Sequence, residues 1–545
     1  MRDTLHRISD MRFVALALTM LLSSAALADN LPDSDALERN GAIVGDIRLE
    51  KSSVFDLANP EENNSLFRLA NRLHIVTRDK TVQKQLLFRS GDAYSARKVE
   101  ESGRILRQNR YLFDASITPV HYENGVVDLA VKTRDVWTLN PDISLSRSGG
   151  ENRSKYGLEE TNLLGRGQLV RIARIEDVDR TSDSFEFSDK HLGRSWVSGL
   201  LKISDNSDGK FNQLSAIRPF YALDTRWSAG AWLLEDERRE ALYALGEEAA
   251  EYRHERDYQS LFGGWSRGLQ DGWVRRWTTG VVRDDNRFSM APNPTLPAAM
   301  PQDRNLVYVF VGLEILEDDY QTTENRDQIG KTEDFYLGTR FSTSLGWSDT
   351  SIGADRDALL FSARASHGFG SLDRNALLLS ASASGRVESG HAENSSLGID
   401  ARYYRTQSRK RLFFATLSAT AGHSLDLDNP VEIGGDSGLR GYPLRYQSGD
   451  SKVLLTLEQR YFTDWYPFRL VRIGGAVFAD AGRVWGNDPV NGRRFNWLSD
   501  IGFGLRLAPT RSSAGKMIHL DVAFPLGGDD TIDSVQFLLE SKRSF

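Results

Sequence analysis

The residues best placed to do chemistry stand at 434–442, Gly434-Gly435-Asp436-Ser437-Gly438-Leu439-Arg440-Gly441-Tyr442. Four glycines in the eight positions 434–441 exclude a helix or a plain strand, because glycine is used where φ must be positive or backbones must approach closely. One cation, Arg440, is followed closely by an aromatic, Tyr442. A guanidinium carries a planar fork of donors that matches a carboxylate. The overlapping Gly435-Asp436-Ser437-Gly438 looks like a serine-protease nucleophile turn. That chemistry needs a His base oriented by an Asp on a different all-β scaffold, which nothing else in the chain supports. The nine His show no ligand spacing such as His-x-x-x-His, and no phosphate-binding glycine loop with Lys is present. The expectation is a protein that is not an enzyme and carries no cofactor or metal.

The elements that must position Arg440 follow from composition and pattern. At 545 residues, two units are expected. The net charge of -7 gives no reason to expect nucleic acid as a partner. The absence of cysteine rules out disulfides, thiolate metal sites and a lipidated cysteine. Mean hydropathy is -0.43, and no run reaches the roughly 18–20 apolar residues of a membrane helix. A transmembrane β-barrel escapes that test, because lipid-facing and lumen-facing residues alternate and average out. Eleven Trp, 17 Tyr and 26 Phe would suit its aromatic girdles.

Residues 1–28 read as a signal peptide: Arg2, Arg7 and Arg12, an apolar run Phe13 to Leu22, then Ala26-Leu27-Ala28. Residues 29–40 read as a polar spacer. From 41 to 136 the pattern is mixed α and β. Ile47 and Leu49 alternate in a strand, and Leu66, Leu69, Ala70 and Leu73 share a helical face. Val82 and Leu86 suggest a short helix, and Ser95 caps a further one over 96–108. A hairpin turns at Asn124-Gly125. From 137 to 545 the texture becomes short alternating segments punctuated by turn residues, the barrel signature. About 20 segments can be counted, and an even number is expected so that both ends face the same side.

Several motifs carry a resemblance. Leu439-Arg440-Gly441-Tyr442 within its glycine run, five alternating segments after it, Phe478-Ala479-Asp480-Ala481-Gly482, and Asn162-Leu163-Leu164-Gly165-Arg166-Gly167 near the start of the barrel resemble the BamA/TpsB superfamily of outer-membrane assembly and secretion barrels. The β-α-α-β-β order at 41–136 resembles a single polypeptide-transport-associated (POTRA) domain, where better-known members carry two to five. The resemblance implies a mostly β fold, a 16-stranded barrel behind a small periplasmic α+β domain. It also implies that the sixth outer loop folds back into the lumen.

Register gives this a physical test. Alternation over 452–462 points Glu458 inward, and alternation over 473–485 puts Asp480 on the lumen side beside Gly482; a carboxylate facing lipid would be costly. Arg440 at the loop tip is therefore expected on Asp480, with Glu458 as second acceptor, while Tyr442 packs on the inner wall. The final segment puts Phe537, Leu539 and Phe545 on the lipid face, resembling the C-terminal signal of outer-membrane proteins. The first barrel strand, near 142–148, starts beside Pro141 with only Ile143 and Leu145 apolar, so its seam with the last strand should be weak.

The function implied by resemblance is assembly or insertion of outer-membrane proteins. The partners implied are unfolded outer-membrane or secreted polypeptides, outer-membrane lipid, periplasmic chaperones and accessory lipoproteins. Two-partner secretion and a passive pore with an accessory domain are the alternatives.

Overall fold

The computed structural model describes residues 31–291, 300–486, 495–529, 532–542 and 544–545; the signal peptide expected at 1–28 lies outside the described residues. The chain divides into two compact units. The smaller takes in residues up to Lys51, Gln85–Ile105 and Ala115–Thr133. A three-stranded sheet orders its strands Ile43–Ser52, Val126–Asp135, Leu112–Glu123, so the first and last are edges. Val44, Val99, Val127 and Leu129 form its core together with Leu37. Leu37 belongs to a short helix, Ser34–Arg39, capped by Asp33 accepting from Ala36 N at 2.6 Å. That helix occupies the stretch expected as a spacer, because one buried leucine is enough to tie it down.

The larger unit comprises Ser52–Lys84, Leu106–Asp114 and Arg134–Phe545. It is a closed antiparallel barrel of 20 strands. The count agrees with the alternating segments and corrects the 16 that resemblance implied. Large apolar side chains point outward into contact with the surroundings, among them Leu261, Val281, Val311, Leu345, Ile399 and Phe503. Water would not stabilise such a surface; a bilayer does. Among the described residues no helix is long and apolar enough to cross a membrane. An outward tryptophan row marks one edge of the apolar band, with Trp227 opposite Trp265 and Trp265 opposite Trp277.

With an even strand number, the first barrel strand begins and the last one ends at the same end of the barrel, here called proximal. Three neighbouring strands, Trp227–Ala244, Glu247–Gln270 and Trp273–Met290, run 18, 24 and 18 residues, against the roughly 9–11 that a tilted strand needs to span. Beyond the Leu234–Tyr258 pair they are densely charged, as in Glu235-Asp236-Glu237-Arg238-Arg239-Glu240. This part stands above the band in water.

Two features were not expected. Between Arg304–Glu317 and Arg340–Ser348 the proximal connection is itself a hairpin, Tyr320–Glu324 paired with Thr332–Tyr336. It lies across the proximal mouth, and Ile329 and Leu337 join a buried cluster with Tyr404, Phe414, Phe462 and Phe545. Glu333 holds its bend by accepting from the main-chain N–H of Arg326 and Asp327 at 2.8 and 2.9 Å. Second, the helix Ser65–Leu73 is anchored by Phe67, which stacks on Phe55 at 3.9 Å. The face carrying Leu66, Leu69 and Leu73 is left exposed.

Candidate functional site: the lumen latch and the seam

The distal loop 424–450 turns back into the barrel. Arginines from the wall clamp its base: Arg304 pairs with Asp428 at 2.6 and 3.0 Å, and Arg386 with Asp426 at 2.6 and 2.7 Å. Its return limb is held by Arg445, which grips Asp179 at 2.6 and 2.8 Å. Between the clamps a short pair, Val431–Ile433 with Gln447–Gly449, carries the glycine run inward. Gly438 has φ 111°, a region open to glycine and strained for other residues. A Cβ on Gly441 would come within 2.8 Å of Asp500 Cβ, so this glycine allows the tip to press against the wall.

At the tip Arg440 is 6% exposed. Its Nε and Nη2 donate to the two Asp480 oxygens at 2.7 and 3.0 Å, and its Nη1 to Glu458 Oε1 at 2.9 Å. The guanidinium lies 3.3 Å from the ring centroid of Phe478, which shares the inward face with Asp480. The neighbouring Gly441 N–H donates to Asp500 at 3.0 Å. Leu439 and Tyr442 are fully buried with Ile433, Val484 and Leu498. The Tyr442 hydroxyl donates toward the carbonyls of Ser499 and Gly527 at 2.9 and 2.8 Å. Gly434 and Gly435 pack against their own return limb, and Gly482 leaves room beneath Ile433.

Sequence reasoning missed the rest of the network. Glu458 also accepts from Arg460 Nε at 3.0 Å. Arg460 in turn donates to the Arg326 carbonyl at 2.8 Å, to Asp327 at 3.2 Å and to the Phe545 oxygen at 3.3 Å. The Phe545 N–H donates to the Asp327 carbonyl at 2.8 Å. Distal loop and proximal hairpin are thus joined through one carboxylate. Arg506 and Asp521 form a further buried pair beside it. The inward register that located Glu458 and Asp480 also holds Arg460, Asp500, Asp521 and Arg506. Among the residues of the hairpin that meet them, Asp327 and Ile329 lie in no periodic segment.

Phe545 corrects its expected placement. Phe537 does face outward, but Phe545 is buried under Arg460 and against Phe462, ring centroids 5.1 Å apart. The last strand ends at Lys542, so alternation no longer governs residue 545. Its ring there lies within cation–π distance of two guanidiniums, Arg460 and Arg506.

The seam is the second site. The first barrel strand is broken into Leu139–Pro141 and Ser144–Ser148, both pairing with Glu151–Glu160. Proline offers no N–H to a ladder. Against the last strand, Gln536–Lys542, the register consists of one pair, Leu539 opposite Arg147. The same last strand makes seven with its other neighbour. On the outer wall beside this junction lies a groove of about 1050 Å³, lined by Leu145, Val477, Phe503, Leu505, Leu520 and Phe537. Among the described residues no cluster could hold a metal ion.

No family model matches the chain, and no curated protein matches it. Among solved structures it is similar to BamA from Haemophilus ducreyi lacking POTRA domains 1-3, at 13% identity and a TM-score of 0.38, over 91% of this chain and 84% of that one. It is also similar to CdiB from Acinetobacter baumannii, at 12% identity and 0.42, over 92% and 74%. CdiB from Escherichia coli gives 12% and 0.44, over 92% and 76%.

Proposed function

We propose that this chain is an outer-membrane factor of a Gram-negative bacterium that assembles or translocates other polypeptides, with its seam as the place where a client strand is taken up. The proximal end then faces the periplasm and the distal end the exterior. The observation that carries this reading is the single ladder pair closing a barrel whose other neighbours pair along their length. Unpaired main-chain groups on Ser144–Ser148 and Gln536–Lys542 can accept an incoming strand by β-augmentation. The apolar groove alongside would hold that strand's lipid-facing residues as they emerge.

The small N-terminal unit is proposed as a POTRA domain. Its edge strands offer a client, a chaperone or an accessory lipoprotein the same main-chain hydrogen bonds. A lumen route, as in two-partner secretion, would require both the Arg440 loop and the 320–336 hairpin to leave. A passive pore would require the same, so lateral delivery is the simpler use of this geometry.

The test uses the native absence of cysteine. A double variant, Arg147→Cys with Leu539→Cys, is oxidised to lock the seam in cells depleted of the native protein. The expected result is loss of newly assembled outer-membrane barrels, restored by reduction. Normal assembly with a locked seam would refute uptake at this junction. If secreted polypeptides alone then fail when the Arg440 loop is tethered in place, the lumen route is the correct one.

A further inference from the structure

Helices in water bury their apolar stripe. The helix Ser65–Leu73 does the reverse: Leu66, Leu69 and Leu73 are 65%, 48% and 62% exposed, and the patch continues into Ile75 at 52%. We propose that this segment is an interfacial membrane helix, lying in the periplasmic leaflet beside the seam, with anionic lipid headgroups as its partner.

Its placement within the barrel unit supports lipid as the occupant. Phe67 and Phe55 pack with Trp137, just ahead of the first barrel strand, and with Leu470, in the proximal turn between Ser451–Phe462 and Val471–Trp485. Glu62 is paired with Arg511 of another proximal turn, and Glu61 with Arg469. The helix is therefore fixed at the height of the proximal turns, where the barrel's apolar band ends. The turn that carries Leu470 itself exposes Trp465 at 65% and Phe468 at 83%, side chains that belong at a membrane–water boundary. Just beyond the helix, the Arg78 N–H donates to Gly165 O at 3.0 Å in the first proximal turn, where Leu164 is also exposed. Exposed apolar side chains thus occur on the helix, just after it and on two of the proximal turns beside it.

The charges suit headgroups. Arg68 and Arg72 are exposed one turn apart, followed by exposed Lys80. An apolar face flanked by basic residues is the pattern of a helix lying in the plane of a bilayer surface. Because it touches Trp137, such a wedge would disturb lipid packing next to the weakest junction of the barrel.

The proposal rests on the barrel spanning a bilayer, so the experiment includes a control for that. Single variants Leu69→Cys and Leu73→Cys of the full chain are labelled with an environment-sensitive fluorophore and reconstituted in vesicles of phosphatidylethanolamine and phosphatidylglycerol. Phe503→Cys serves as the lipid-facing control and Ser207→Cys, in a distal turn, as the aqueous one. Brominated lipid is expected to quench labels at 69 and 73 about as strongly as at 503, while aqueous iodide quenches only the label at 207. Replacing phosphatidylglycerol with a neutral lipid should reduce quenching at 69 and 73 and leave 503 unchanged. Quenching at 503 with iodide-accessible labels at 69 and 73 would overturn the proposal while leaving the barrel reading intact. Labels at 69 and 73 shielded from both quenchers would also overturn it, since protein rather than lipid would then cover the face. No quenching at 503 would instead sink the membrane-spanning reading on which the proposal depends.

Discussion

Arg460 donates from Nε to Glu458 Oε2 at 3.0 Å, two residues along one strand and on its inward face. The other oxygen of Glu458 receives Arg440 from the distal loop at 2.9 Å. The carboxylate is almost fully buried and has a guanidinium on each side. Two arginines without it would repel across a short gap, and the carboxylate without them would be an uncompensated buried charge.

Removing the loop's cation should cost more than removing a surface charge. Arg440→Ala leaves Asp480 and Glu458 facing an empty site, and breaking a buried pair in this way costs about 3–5 kcal/mol. The expected outcome is a lower temperature for loss of the compact, heat-modifiable band on a gel. Arg440→Lys should recover only part, since a lysine cannot form the bidentate contact with Asp480. An unchanged unfolding temperature in the alanine variant would mean that the loop is held by its clamps alone.

Shape can be separated from charge at the neighbouring residue. Gly441→Ala keeps the guanidinium but sets a methyl group against Asp500. Overpacking of this kind costs about 1–3 kcal/mol. The variant should show greater protease sensitivity of loop 424–450, with strand content by circular dichroism unchanged.

Asp480→Asn and Glu458→Gln should differ in kind. Asp480 pairs with Arg440 of the loop and lies against Asp500 of the neighbouring strand, whereas Glu458 pairs with Arg440 and also with Arg460, the residue that holds the hairpin. In planar bilayers the first variant should stay near the native conductance, because the proximal hairpin still closes the lumen. The second should give larger and more frequent openings. Equal conductance in the two would show that the shared carboxylate does not hold both closures.

The proximal hairpin carries a titrating group outside the membrane-spanning strands. Burial pushes the Glu333 carboxyl up to about 7, despite the main-chain donors that favour its ionised form and with Asp327 adding to the rise. The folded value is raised above the unfolded one near 4.5, so the folded chain holds the proton more tightly. This stabilisation is full below the unfolded value and is lost as pH rises through about 7. The slope approaches 1.4 kcal/mol per pH unit between the two values. Hydrogen exchange across 320–336 should therefore be slower at pH 5.5 than the intrinsic pH dependence of exchange allows. Glu333→Gln should remove the excess.

Alternation carried most of the barrel. A strand's inward and outward faces are written two residues apart, so Glu458 and Asp480 could be placed on the lumen side from spacing alone. The same rule puts Arg460 and Asp521 on the inward face, but neither belongs to a recognisable motif that would name its partner. The hairpin at 320–336 was hidden for a different reason. Its two strands are five residues each, too short for periodicity, and its bend is fixed by Glu333 accepting main-chain N–H groups. Phe545 lies past the end of its strand at Lys542, where alternation no longer sets which way a side chain faces. Leu66, Leu69 and Leu73 gave the helix correctly but not what covers it, since a stripe reads alike whether protein or lipid lies against it.

The two closures meet on one side chain, and this makes them partners in a reciprocal linkage. A molecule that draws the hairpin away from Arg460 loosens the hold on Arg440 by some amount of free energy. By thermodynamic necessity, whatever lifts the loop loosens the hairpin by the same amount. An event on one side of the membrane is thereby felt on the other without any further moving part.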